Sequence, residues 1–291
     1  RGTCCETVNC PDAGGAKMKI TILNENTVYR QGLLAEHGLS VLIEERNRRF
    51  LMDTGQSDVF LKNAEALGVD LEDLDGILLS HGHYDHCGGM EYLDKSRGLP
   101  PVYIQKSAFE KKYSGTRKDR HFIGIPGNHE NWMANVHFTG DTEEIAPGFW
   151  LIGNIPYRTD FEERPAGFWI RDERCADAVW RADEMEDEQI LAVCTEKGLC
   201  LFMGCSHRGV INCILRAKEV LPDMPVYSVF AGMHLGKAGT GRIKETIESL
   251  RRMDIPLLFP VHCTGKRAAG MMASAFPDTC ILVETGQVLE F

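Results

Sequence analysis

The sequence predicts an α/β protein built as a layered sandwich. Three observations point there. Short apolar or β-branched runs, separated by turn residues, recur along the chain; helical apolar stripes fall between the later runs; and strands come first, then strands alternating with helices, then the same again. A pure parallel sheet would require helices between the strands from the outset.

The expected elements follow in order. Lys19–Leu23, Leu39–Ile43 and Phe50–Met52 are strands, and Asp58–Leu67 is a helix, with Val59, Leu61, Ala64 and Leu67 as its apolar stripe. Ile77–Leu79 is a buried strand running into a histidine-rich segment, and Val102–Gln105 is another strand. Residues 106–147 read as an irregular excursion, basic at first and then rich in Gly, Asn and Pro. Later strands are expected at Phe149–Ile152, Ile190–Cys194, Leu199–Met203, Val226–Phe230 and Leu257–Pro260. Helices are expected at Asn212–Val220 and at Arg242–Arg252, where Ile243, Ile247 and Leu250 share one face. Two last strands, Ile281–Glu284 and Val288–Phe291, flank the turn Thr285-Gly286-Gln287. The domain reading is a polar tail over 1–16 and one domain over 17–291. Cys4, Cys5 and Cys10 of the tail match no zinc-ligand spacing.

Composition narrows the function. The chain has 291 residues, 43% of them hydrophobic and 25% charged, with a net charge of −10. Nucleic-acid binders draw their affinity from neutralising phosphates, so an acidic chain argues against that class. A small anionic substrate still fits, because Lys106, Lys111, Lys112, Arg117, Lys118 and Arg120 cluster. Eleven cysteines, an odd number, do not read as a disulfide framework, and Cys194 and Cys200 lie in apolar runs. A reducing cytoplasm is the expected location. No apolar run approaches the roughly 20 residues of a membrane span, and no signal-peptide layout is seen.

The decisive segment is Ser80-His81-Gly82-His83-Tyr84-Asp85-His86-Cys87-Gly88-Gly89. Four ligand-type side chains lie within six residues, directly after an apolar strand. Imidazole and carboxylate suit zinc, iron or manganese, and burying such a group without a cation would be costly. His81 and His83, two apart, can face one way, and Asp85 and His86 can reach a second cation. Gly82, Gly88 and Gly89 are expected to give the backbone the freedom such a turn needs. Three more apolar runs end in histidine: Leu201–His207, Val229–His234 and Leu258–His262. Together they suggest a shared rim.

The run His81–His86 resembles the HxHxDH signature of the metallo-β-lactamase superfamily, and Phe50-Leu51-Met52-Asp53-Thr54-Gly55 resembles that family's LxDTG element. The segments Gly204-Cys205-Ser206-His207, Gly232-Met233-His234-Leu235 and Pro260-Val261-His262-Cys263-Thr264-Gly265 are similar to the branch that includes 7,8-dihydropterin-6-methyl-4-(β-D-ribofuranosyl)aminobenzene 5′-phosphate synthase. The resemblance covers 17–291. It implies an αββα metallo-β-lactamase-type sandwich, two mixed sheets with flanking helices.

It also implies roles. His81 and His83 would bind the first metal; Asp85, His86 and His262 would bind the second; Asp53 would orient the metal loop. Many members take the first metal's third ligand from a mid-chain loop, which this chain lacks, and His207 is the replacement. Cys205 stands where relatives carry a bridging Asp or Cys, or is a buried apolar thiol. His234 is either a ligand or, the favoured role, a proton donor and phosphate contact. Arg120 and His121 form a candidate anion-binding lip, while His37, His129 and His137 read as surface residues.

The implied cofactor is one or two divalent ions: zinc first, with manganese, iron or magnesium as alternatives. The implied partner is an anionic small molecule, with neither nucleic acid nor membrane expected. Two reactions fit. One condenses an arylamine phosphate with a dihydropterin diphosphate, releasing pyrophosphate. The other hydrolyses a phosphodiester, lactone or thioester with metal-activated water. A diiron redox protein is the alternative of another class, but the chain has no room for an appended flavin domain.

Overall fold

The computed structural model describes residues 17–93, 98–172 and 179–291. The tail over 1–16, with Cys4, Cys5 and Cys10, lies outside the described residues. In chain order the elements are β1 (Lys19–Asn24), β2 (Ser40–Glu45), β3 (Arg48–Met52), α1 (Val59–Leu67), β4 (Gly76–Leu78), the one-turn α2 (Tyr84–Cys87), β5 (Val102–Ile104), β6 (Lys111–Gly115), β7 (Arg120–Phe122), β8 (Val136–Phe138), β9 (Thr142–Ala146) and β10 (Phe149–Ile152). They continue with β11 (Phe168–Asp172), β12 (Val179–Ala182), β13 (Ile190–Thr195), β14 (Gly198–Met203), α3 (Val210–Val220), β15 (Val226–Gly232), α4 (Thr240–Met253), β16 (Leu257–Val261), α5 (Lys266–Ala275) and β17 (Val288–Glu290).

Two mixed sheets stack face to face. One runs β17-β1-β2-β3-β4-β5-β8, the other β16-β15-β14-β13-β10-β9. The period-2 alternation of strand side chains explains the layers. In β14, Cys200 and Phe202 enter the core between the sheets, where Phe50, Phe149, Phe230 and Phe259 also lie. Leu199, Leu201 and Met203 point the other way, onto Val210 and Ile214 of α3 and Ile243, Ile247 and Leu250 of α4. In β2, Val41 and Ile43 face the inter-sheet core, whereas Leu42 meets Phe60 and Ala64 of α1. Strands covered on both faces read as continuous apolar runs, which is what made them visible in the sequence. The layers are therefore helix, sheet, sheet, helix. None of the described helices is long and apolar enough to cross a membrane.

Three expectations change. The stretch 106–147 is not irregular: β6 and β7 lie in it and join β11 and β12 in a small accessory sheet, order β12-β11-β6-β7, while β8 and β9 extend the two main sheets. Ile281–Glu284 is not a strand. Only the bridge Leu258↔Cys280 forms there, and Ile281 and Leu282 stay 40% and 51% exposed, so β-branched content was spent on a surface stretch. The helix α5 was not foreseen, because its run Lys266-Arg267-Ala268-Ala269-Gly270 carries a mid-helix glycine and little apolar periodicity.

Candidate metal centre

Strands β3, β4, β14, β15 and β16 all end at one edge of the sandwich, and the residues that follow them converge there. Asp53, directly after β3, is fully buried. Its Oδ1 accepts the Ser80 N–H at 2.7 Å, and its Oδ2 accepts the Ser80 hydroxyl at 2.8 Å and lies 2.6 Å from His86 Nδ1. The Ser80 hydrogen is thereby committed to Asp53. Ser80 Oγ, 2.9 Å from His81 Nδ1, must accept from that nitrogen. One carboxylate thus fixes the Nδ1 proton of two histidines, so that in its neutral form each presents a lone pair at Nε2. Burial works against protonating His86, but Asp53 and Asp85 outweigh it and raise its pKa to about 9. A cation arriving at Nε2 would displace that proton.

Those nitrogens meet neighbouring ring N–H and thiol groups. His81 Nε2 lies 3.0 Å from His83 Nδ1, and the ligand atoms of His81, His83 and His207 all lie within 4.8 Å of one another. Burial and the neighbouring imidazoles hold His81 well below the usual histidine range; burial, with Lys112 next, lowers His83 to about 3. Buried His83 Nε2, both ring nitrogens of His207 and His262 Nε2 have no hydrogen-bond partner. Such orphaned buried nitrogens are costly unless something else satisfies them. The residues present therefore fit a divalent cation.

A second group lies beside the first. Asp85 Oδ2 is 3.2 Å from His262 Nε2, 3.2 Å from His37 Nε2 and 3.8 Å from His86 Nε2. His262 is held by its N–H on Glu25 Oε1 at 2.7 Å and by Nδ1, 2.9 Å from Asn26 Oδ1. Cys205 Sγ is 3.2 Å from His86 Nε2, and its ligand atom lies within 4.8 Å of those of His234 and Cys263. The backbone of Asp53, Ser206, His234 and His262 is left-handed, with φ of 56, 49, 48 and 49°. Non-glycine residues adopt this conformation at a cost, which concentrates here at the strand ends that carry the site.

The metal-loop glycines serve close approach, not unusual torsions. A Cβ on Gly82 would stand 2.2 Å from Ala108 O, on Gly88 2.4 Å from Gln56 O, and on Gly89 2.1 Å from Thr54 O. The loop is also braced from below. The Gly82 N–H donates to Asp187 Oδ2 at 2.7 Å, and Asp187 Oδ1 accepts from Lys112 Nζ at 2.8 Å. Lys112, on β6, also donates to Asp183 at 2.8 Å, and all three side chains are buried. Burial opposes the Lys112 charge, but Asp187 and Asp183 outweigh it and raise its pKa. Glu188 accepts the N–H groups of His207 and Arg208, and burial pushes it up to about 7.

Above the imidazoles opens a cavity of about 870 Å³. His83, Asp85, Cys205, His207, His234 and His262 all line it. The accessory sheet supplies the opposite wall through Ser114, Gly115, His121 and Phe168, with the Phe168 ring stacked 5.8 Å from that of His83. His121 thus reaches the cavity, paired with Asp119 at 3.6 Å. Arg120 does not line it. Its guanidinium sits 4.8 Å from the Trp169 ring and 4.1 Å from the Trp180 ring, because side chains alternate across β7 and put it on the other face. Asp53 likewise touches Ser80 and His86 and does not line the cavity. His129 and His137 stay away from the cavity, but His37 lines it, so its reading as a plain surface residue is corrected. Phe168, Asn26, Lys237 and Cys263 line it too and were not foreseen; a single residue brought to the cavity by distant chain carries no sequence signal.

Replacing Asp53 by Ala is expected to weaken cation binding by about 10–100-fold, the usual effect of losing a residue that orients ligands. Competition with a chromophoric chelator would measure it; unchanged affinity would remove Asp53 from that role.

The comparisons point to one family. A family model described as metallo-beta-lactamase superfamily matches residues 34–158. A Methanocaldococcus jannaschii protein, MJ0448, is 32% identical over 86% of this chain and 91% of its own length. The same organism's 7,8-dihydropterin-6-methyl-4-(beta-D-ribofuranosyl)-aminobenzene-5'-phosphate synthase is 28% identical over 93% of this chain and 95% of its own. The crystal structure of Tm1679, described as a metal-dependent hydrolase of the beta-lactamase superfamily, superposes with a TM-score of 0.82 at 33% identity, covering 94% of this chain and 99% of that one. On its fold, its motif and these relatives, the chain belongs to the metallo-β-lactamase superfamily.

Proposed function

We propose that the protein is a metal-dependent enzyme that joins two phosphate-bearing small molecules: an arylamine phosphate displaces pyrophosphate from a dihydropterin-type diphosphate. One observation carries the metal-dependent part. Buried imidazole nitrogens of His83, His207 and His262, without hydrogen-bond partners, line the floor of an 870 Å³ cavity. His81, His83 and His207 would hold one divalent cation, and Asp85, His86 and His262 a second, with Cys205 beside His86. Such a cation supplies Lewis acidity towards a phosphate oxygen or a water molecule.

The chain's own groups do the rest. Phe168 offers a flat apolar face for a ring above His83. Lys237 sets positive charge along the cavity, and His121 adds a ring nitrogen, where a phosphate enters. His234 faces the cavity, its ring 4.3 Å from that of His207 and its backbone N–H on Cys263 Sγ at 3.2 Å. In this reading its imidazole gives a proton to the departing phosphate oxygen. The condensation reading draws its support from the near full-length likeness to the synthase. Hydrolysis of a phosphodiester, lactone or thioester is the second reading, supported by the likeness to a structure described as a hydrolase.

A mass-spectrometric assay of the metal-loaded protein separates the two. Pyrophosphate release only when both condensation substrates are present is the expected result. Turnover of a lone phosphodiester or lactone would replace the condensation reading with the hydrolytic one, and inertness towards all of them would sink both.

A further inference from the structure

His37 lies in the loop between β1 and β2, far in sequence from the histidine-rich motif, and its side chain is half-exposed. Its position is nevertheless tightly constructed. Glu36, next to it, accepts the backbone N–H groups of Gln56 and Ser57 and the Ser57 hydroxyl. Gly38, on its other side, donates its N–H to Asn26 Oδ1 and packs so closely that a Cβ would stand 2.6 Å from Asp85 O. The Leu39 N–H donates to that same Asp85 carbonyl at 3.2 Å. The residues on both sides of His37 are therefore tied to the metal loop or to the element it packs on.

The tie also fixes a neighbour. Asn26 Oδ1, which holds Gly38, is 2.9 Å from His262 Nδ1, and Asn26 Nδ2 donates to His262 O. The amide orientation is thus settled by a donor on one side and a backbone acceptor on the other. His262 Nδ1 must carry a proton, so the neutral imidazole presents a lone pair at Nε2. That lone pair lies 3.2 Å from Asp85 Oδ2, an oxygen that is itself an acceptor. Two acceptors at this separation need something positive between or beside them. His37 Nε2 stands 3.2 Å from the same oxygen, with its ring 4.7 Å from that of His262. A tetrahedral site with bonds of about 2.0–2.1 Å has ligand–ligand edges of about 3.3–3.4 Å. The spacings around Asp85 Oδ2 match that edge.

We propose that His37 is a ligand of the second cation, completing with Asp85 and His262 a position that the histidine-rich motif alone does not complete. The inference rests on reading the centre as a cation site, and it adds to that reading a ligand from the loop between β1 and β2.

Zinc content after equilibrium dialysis, with chelator competition for affinity, tests it. The wild-type protein is expected to hold two equivalents. His37→Ala is expected to hold one, with the other weakened by about 100-fold or more, at or beyond the upper end of what residues that merely orient ligands produce. His37→Lys separates ligation from a simple ion pair with Asp85: it keeps a positive charge at that position but cannot restore the second equivalent if the role is ligation. Two equivalents at unchanged affinity in His37→Ala, or restoration by His37→Lys, would overturn the inference and leave the imidazole group intact. A wild-type protein holding only one equivalent would also overturn it, and one holding none would remove the cation reading itself.

Discussion

The His81→Ala, His83→Ala double variant is expected to lose the first cation and keep its fold. Both side chains are buried, and His207 alone would remain of the group of three. The sheets do not depend on them: the inter-sheet core around Phe50, Phe202 and Phe230 and the helical layers contain neither histidine. Elemental analysis should show one equivalent less than wild type, with the far-ultraviolet circular dichroism unchanged. Stability reports the same event. A ligand present at about 1,000 times its Kd stabilises the native state by about 4 kcal/mol. Chelation should therefore lower the Tm of the wild-type protein substantially and that of the variant much less. Full metal content in the double variant would refute the site.

Replacing Lys112 by Met is expected to cost about 3–5 kcal/mol, because it leaves two buried carboxylates without their cation. Asp183 and Asp187 are 2% and 0% exposed, and neither can turn to solvent. The deficit is one of unbalanced charge rather than lost volume, since Met fills much the same space. A triple variant that also carries Asp183→Asn and Asp187→Asn should recover much of the loss, and Asn at 187 can still accept the Gly82 N–H. Urea unfolding of the three proteins would measure it; a loss under about 1 kcal/mol for Lys112→Met would show the triad to be far more solvated than the structure has it.

The parts legible in the sequence were those whose physics is local. Leu199–Met203 and Val226–Gly232 are covered on both faces, so they read as unbroken apolar runs, and the histidines just beyond them marked the rim. The motif His81–His86 was legible because its ligand-type side chains are adjacent. The accessory sheet was not. Its strands are half-exposed, mix charged with aromatic residues, and pair β6 with β11 across more than fifty residues of intervening chain. Lys112 sat in a basic stretch whose ordinary meaning is a solvated loop, yet it is the one of those lysines that turns inward to two aspartates. His37 was a lone histidine in a polar turn, and only the folded chain brings Asp85 and His262 to it. Arg120 failed for the opposite reason: proximity to His121 in sequence puts the two on opposite faces of a strand.

The bond chain Lys112–Asp187–Gly82 has a consequence for anyone wishing to build chimeras. The wall of the cavity and its floor come from separate stretches of polypeptide, an arrangement that invites transplanting a relative's wall onto this floor. The seam, however, passes through a buried charge group shared by both pieces. A transplant that brings a new β6 without a lysine at its root would leave two stranded anions beneath the loop that presents His81 and His83. Donor segments should be chosen by what they carry at that one position before anything about their cavity-facing residues is considered.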